Sequence, residues 1–241
     1  MIKQRIFNLW PRVSFFILLM IPFWFSASLL LIHLGYIGSF LFLNQYHPEV
    51  LDNFMLQVTR FGDGAFLIPL FTFILLWKKP GVIITMIIAA LVSGIVTYSL
   101  KTFLFSCWNR PLLVVRNPEI IHTVNHYLLY RHSFPSGHSI CIATIITALA
   151  VPFYRSKPTV FILSMFMLLV SYSRIYLGVH FLADVLAGNL IGITISLTVI
   201  LLWSEQINNW INRLDSSKAS FVKIIILVLS VITLLVNTWY G

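Results

Sequence analysis

Acidic side chains are scarce: seven Asp and Glu stand against sixteen Lys and Arg, and charged residues make up only 10% of the 241-residue chain. With 59% hydrophobic residues, that excludes a soluble globular domain, which could not cover so much apolar surface. Cysteine is equally thin. Cys107 and Cys141 alone cannot staple a fold, fit no repeated metal-ligand spacing, and are expected as unpaired thiols. There is also no internal repeat, low-complexity tract or second polar domain, so the chain reads as one membrane domain, 1–241.

What the chain has instead is long apolar runs. A hydrocarbon core about 30 Å thick takes roughly 20 apolar residues per helix. Candidate runs cover residues 13–34, 62–77, 81–104, 138–154, 159–177, 181–203 and 221–239. Membrane β-strands alternate polar and apolar residues, whereas Phe15, Phe16, Ile17, Leu18, Leu19 and Met20 are consecutive. The expectation is an all-α polytopic bundle: six core helices and a seventh at the C-terminal end that places Gly241 outside. The first run follows Lys3, Arg5 and Arg12 and continues past the small residues Ser26, Ala27 and Ser28, which makes it an uncleaved anchor and not a signal peptide.

The net charge of +9 would suggest nucleic acid in a soluble chain, but membrane topology accounts for most of it. With a cytoplasmic N-terminus, Lys3, Arg5, Arg12, Lys78, Lys79, Arg155, Lys157, Arg213, Lys218 and Lys223 fall on the cytoplasmic side. No nucleic acid partner is expected. The other six, Arg60, Lys101, Arg110, Arg116, Arg131 and Arg174, fall on or near the opposite face, where the rule disfavours them, so they need another reason to be there.

Two flanking segments are informative. Residues 35–63 mix apolar and polar side chains and suggest a helix lying in the interface or packed over the bundle. Residues 204–220 read as an amphipathic cytoplasmic segment.

The chemistry gathers at one predicted end. Lys101 precedes Arg110 and Pro111; Pro135, Ser136, Gly137 and His138 open the fourth run; Ser173 and Arg174 precede His180 and Asp184. On a helix, His180 and Asp184 would share a face, the carboxylate fixing the imidazole tautomer and leaving one nitrogen free to attack. Ser136 and Gly137 stand where unpaired helix N–H groups cradle an anion, and Lys101, Arg110 and Arg174 add charge and forked hydrogen bonds. Such residues describe a phosphate pocket containing a nucleophile. His122, His126 and His132 lack Cys or carboxylate companions and are expected as solvated loop side chains; no metal and no cofactor is expected, since the motifs supply one carboxylate only.

The run from Pro135 to His138, and the run Ser173, Arg174, five residues, His180, three residues, Asp184, resemble the second and third signatures of the type-2 phosphatidic acid phosphatase family. The resemblance covers the motif-bearing region 101–184, and the six-helix core extends it over most of the chain. It implies a membrane lipid phosphatase working through a phosphohistidine, with His180 as nucleophile, Asp184 orienting it and His138 as general acid. Arg174, Ser136, Gly137, Arg110 and Lys101 would bind phosphate. The first signature departs from the family pattern, because eight residues instead of six separate Lys101 from Arg110; Arg131 or Arg116 could stand in for the Lys101 charge unless the helix end is remodelled. The resemblance admits phosphatidylglycerol phosphate, undecaprenyl pyrophosphate, phosphatidic acid and lipid A phosphates, and the charge count places the site at the outer face of a bacterial-type plasma membrane. A phosphotransferase on the same scaffold, or a transporter or non-catalytic scaffold, are the rival readings.

Overall fold

The computed structural model describes residues 2–124 and 128–240, and within them the backbone is helical with no strand. The helices are α1 (Ile2–Asn44), α2 (Val50–Arg60), α3 (Gly64–Leu75), α4 (Pro80–Ser99), α5 (Pro111–Val114), α6 (Gly137–Ala150), α7 (Lys157–Tyr176), α8 (Leu182–Arg213) and α9 (Ser216–Tyr240). Among the described residues five are long and apolar enough to cross a membrane, and the pair α2/α3, bent by 72°, raises that to six.

This differs from the seven runs of the sequence in two places. The run 62–77 is the second limb of the bent pair, because Gly62 and Asp63 break the helix and the Asp63 side chain accepts from Ala65 N at 2.9 Å to start α3. The run 138–154 gives α6, 14 residues long, or about 21 Å at 1.5 Å per residue, short of the hydrocarbon core. Its short length is tolerated because other helices surround it: every residue from Ile142 to Ala150 is buried.

Residues 35–63 also differ from a single interfacial helix. Gly35, at φ 71°, breaks α1, whose last turns continue to Asn44, and α2 then packs on α7. Segment 204–220 is not a separate unit: α8 runs on to Arg213, and Asp215 starts α9 by accepting from Lys218 N at 2.8 Å. The expected seventh helix is present as α9, although Gly241 lies outside the described residues.

The tightest packing is α6 against α8. A Cβ on Gly188 would meet Ser136 O at 2.8 Å, and one on Gly192 would meet Ile140 O at 2.4 Å, so only glycine permits this approach. Thr144 Oγ1 donates to Ile140 O and Gly192 O across the same seam. Helix α4 packs on both, α1 lies over α7 and α8, and α9 packs chiefly on α3.

The two bundle ends are chemically different. At one, Arg5 pairs with Glu205 at 3.0 Å, and Lys79, Lys157 and Lys223 lie over Phe153, Phe15 and Trp77. At the other, the C-terminal parts of α1, α4 and α7 meet the starts of α6 and α8.

Gly192→Ala is expected to destabilise by about 1–3 kcal/mol through overpacking. Thermal unfolding in detergent measures it against Gly94→Ala, whose Cβ would meet nothing within 4 Å and which should unfold at or above the wild-type temperature.

Candidate active site

The centre of this end is the Asp184 carboxylate, fully buried. It is the third residue of α8, so the unpaired first-turn amides and the positive helix end favour its charge. Its Oδ2 accepts from Phe181 N at 3.0 Å, from His180 Nδ1 at 3.2 Å and from Ser133 Oγ; its Oδ1 accepts from Tyr36 Oη at 2.9 Å. The expectation that His180 and Asp184 share a helix face is corrected in detail: His180 precedes the helix, and Asp184 turns back over the helix start to reach it.

His180 is held from both sides. Arg110 Nη1 lies 3.3 Å from His180 Nε2, and a guanidinium can only donate while a carboxylate can only accept. The ring is therefore the neutral tautomer with its proton on Nδ1, and the Nε2 lone pair faces the cations. Burial, and then the charges of Arg110, Arg174 and Lys101, hold the imidazole well below its usual pKa, so it stays unprotonated at neutral pH. The turn carrying it needs Gly178 at φ 71°, where a Cβ would also meet His122 O at 2.6 Å. Val179 N and His180 N both donate to Arg174 O at 3.2 Å, which locks the end of α7 to this turn.

Ser136 and Gly137 stand at the start of α6, where Ser136 caps the helix by accepting from Ser139 N at 3.4 Å. Ser136 N donates to Asp184 O at 3.1 Å, fixing the start of α6 beside that of α8. His138 follows within the first turn, close enough to His180, Arg174, Arg110 and Lys101 to feel their charges. Its ring lies against Gly62, where a Cβ would come within 2.6 Å of it.

The long spacing in the first signature is absorbed by a wide turn. Residues Leu100–Leu104 form a π-helix in which Phe105 N donates to Leu100 O, five residues back. Lys101 Nζ then reaches the carbonyls of His132 and Ser133. Arg110 Nε donates to Arg131 O at 2.7 Å and Arg110 Nη1 to Val179 O at 3.1 Å. The structure thus brings Lys101 to the site, whereas Arg116 and Arg131 are exposed and Arg131 offers only its carbonyl. Arg174 is buried and donates to Thr59 Oγ1.

Sequence reasoning did not find Tyr36, Ser133 or Thr59. Each is an isolated hydroxyl in an apolar or irregular stretch, so no spacing signals it. His122 is not a solvated loop side chain: its Nε2 lies 2.9 Å from Asp52 Oδ1 and its ring stacks on His47 at 4.0 Å. His132 is exposed in its loop, and its main-chain carbonyl accepts from Lys101; His126 lies outside the described residues. Both cysteines are free, Cys107 exposed and Cys141 one turn into α6.

A multi-pass helical bundle with an oriented imidazole, a second histidine and three cations at a helix start defines a membrane enzyme that handles an anionic group. The chain belongs to the PAP2 superfamily, whose model matches residues 82–208, and is a membrane phosphatase of that lipid phosphatase family. It is similar to a lipid A 4'-phosphatase of Porphyromonas gingivalis, 27% identical over 71% of this chain and 74% of that protein. It also resembles an undecaprenyl-diphosphatase of Sulfolobus acidocaldarius, 30% identical over 65% of this chain and 73% of the relative. The crystal structure of Aquifex aeolicus LpxE superposes with a TM-score of 0.59 at 30% identity, covering 67% of this chain and 92% of that one.

Ser133→Ala removes a hydrogen bond to a buried charged carboxylate, which is worth about 1.5–3 kcal/mol. Phosphate release should fall roughly tenfold or more in kcat with KM little changed, and Tyr36→Phe should act in the same direction. Steady-state kinetics of the detergent-purified variants measures both.

Proposed function

We propose that this protein hydrolyses a phosphate monoester or pyrophosphate of a membrane lipid, at the extracytoplasmic face of a bacterial-type plasma membrane, through a phosphohistidine. The observation that carries the reading is the His180 ring, bonded through Nδ1 to Asp184 and presenting Nε2 beside Arg110.

The substrate phosphoryl group sits at the start of α6, against the amides following Ser136 and Gly137 and the charges of Lys101, Arg110 and Arg174. In the free protein Arg110 lies against the His180 nitrogen; the incoming phosphoryl oxygens take over that donor and release the lone pair. His180 Nε2 forms a bond to phosphorus while the bond from phosphorus to the leaving oxygen breaks, and His138 gives that oxygen its proton. The negative phosphate offsets the surrounding cations and favours the protonated state of His138 at that moment. His138, now neutral, takes a proton from water, whose oxygen attacks the phosphohistidine. Phosphate leaves and the neutral His180 is restored. Throughout, Asp184 accepts from Nδ1–H and stabilises the positive charge that develops on the ring, while the cations stabilise the trigonal-bipyramidal transition state.

Orientation rests on charge. Arg5, Lys79, Lys157 and Lys223 all stand at the end opposite the site, so a positive-inside arrangement puts the site outside. The relatives named for lipid A and undecaprenyl phosphates make those lipids the first substrates to try.

Phosphate release by purified protein without added metal, over a panel of phospholipid, polyprenyl and lipid A phosphates, tests the reading. Wild type is expected to release free phosphate from at least one lipid without an added acceptor, and His180→Ala to release none. Release only when an acceptor lipid is supplied would mean a phosphotransferase, and no turnover of any kind would favour a scaffold.

A further inference from the structure

A cavity of about 910 Å³ opens from the site into the apolar body of the bundle. Lys101 and His138 line its head, and Ile87 and Leu91 of α4 line it further down. From Lys101 to Ile87 is 14 residues, or about 21 Å at 1.5 Å per residue, more than the roughly 15 Å of one bilayer leaflet. A phosphate head with an apolar channel of that length beneath it matches the shape of a long-chain lipid phosphate.

The wall facing α4 is α9. Leu229, Ser230 and Thr233 line the cavity at helical spacing, and Ser230 is the one buried side chain among the described residues of α9. The helix is held in place elsewhere: it packs chiefly on α3, and Lys223 lies over Trp77 at 5.4 Å. It therefore stands across from α4 with a gap between them, and the gap is the cavity. Across that gap Gly94 leaves open space, since a Cβ there would meet nothing within 4 Å. Asp63, an acidic group on the lining, accepts from Ala65 N at the start of α3. Helix α9 lies beyond residues 82–208, which match the superfamily.

We propose that α9 is the selectivity wall of the substrate's hydrocarbon channel: Leu229, which lines the cavity together with Gly94, sets how long and how bulky a chain can lie beneath the phosphate. The inference rests on the lipid phosphatase reading and adds what selects its substrate. A short-chain phosphate engages only the cations and histidines; a long chain also fills the channel between α4 and α9, and that burial lowers the barrier through added binding.

The test compares kcat/KM for hexadecyl phosphate and butyl phosphate in detergent-purified protein. Wild type is expected to prefer the long chain. Leu229→Trp, which fills the channel from α9, and Gly94→Phe, which fills it from α4, should each lower the long-to-short ratio about tenfold, the scale of discrimination that pocket volume gives. Val228→Trp, on a face of α9 away from the cavity, should leave the ratio as in wild type. Because the readout is a ratio, a partly folded variant lowers both substrates and leaves it unchanged. The inference is overturned if wild type turns over both substrates equally well, or if Leu229→Trp and Gly94→Phe keep the wild-type ratio. Failure of wild type to hydrolyse either substrate, or any lipid of the wider panel, sinks the phosphatase reading itself.

Discussion

The Asp184 carboxylate is the interaction on which the rest of this end of the bundle depends. A charge buried in an apolar helical bundle is costly unless every lone pair is used and opposite charge is near. Asp184 meets both requirements by drawing in groups from separate elements: Tyr36 from the far limb of α1, Ser133 from the loop before α6, His180 from the turn after α7, and an amide of its own helix. Its backbone carbonyl holds Ser136 N, so the helix start that faces the anion is fixed by the same residue. The break at Gly35 makes sense in this light, because Tyr36 follows it directly and is brought over the carboxylate. Tyr36 in turn packs on Phe181 at 4.1 Å and Trp108 at 6.3 Å, which ties the loop between α4 and α5 to the same centre.

Around that node two of the three cations are placed by backbone carbonyls and the third, Arg174, by the Thr59 hydroxyl. Lys101 rests on the carbonyls of His132 and Ser133, and Arg110 on those of Arg131 and Val179. This is how a chain with so few acidic residues keeps positive charge buried without neutralising it. Carbonyl dipoles hold the side chains in position while leaving net positive charge for an incoming phosphate. The same charges keep the His180 ring neutral, so in the proposed mechanism one arrangement would both attract the substrate and keep the nucleophile unprotonated.

Much of this was legible in the sequence, because chemistry constrains spacing where local structure is short. His180, Asp184 and Arg174 fall within one turn and its flanks, so their separation had to be nearly fixed; Ser136, Gly137 and His138 are one helix start. The positions of Lys101 and Arg110 were less legible because a π-turn absorbs extra residues without changing which side chain faces inward. Tyr36, Ser133 and Thr59 were invisible: they reach the site from over fifty residues away from Asp184 or Arg174 through tertiary packing alone, and an isolated hydroxyl has no pattern. The shortness of α6 was not legible for a related reason. Hydropathy reports how apolar a run is, and a short core helix sheathed by its neighbours is as apolar as one that faces lipid.

The central claim is a covalent bond between His180 and phosphorus. Reacting the protein with a lipid substrate carrying radioactive phosphate, quenching in alkali within milliseconds to seconds and mapping the labelled peptide tests it directly. The account predicts an alkali-stable, acid-labile label on the peptide containing His180 in wild type and none in His180→Ala. Catalytic turnover with no protein-bound phosphate at any time, or with label on a different residue, would contradict it.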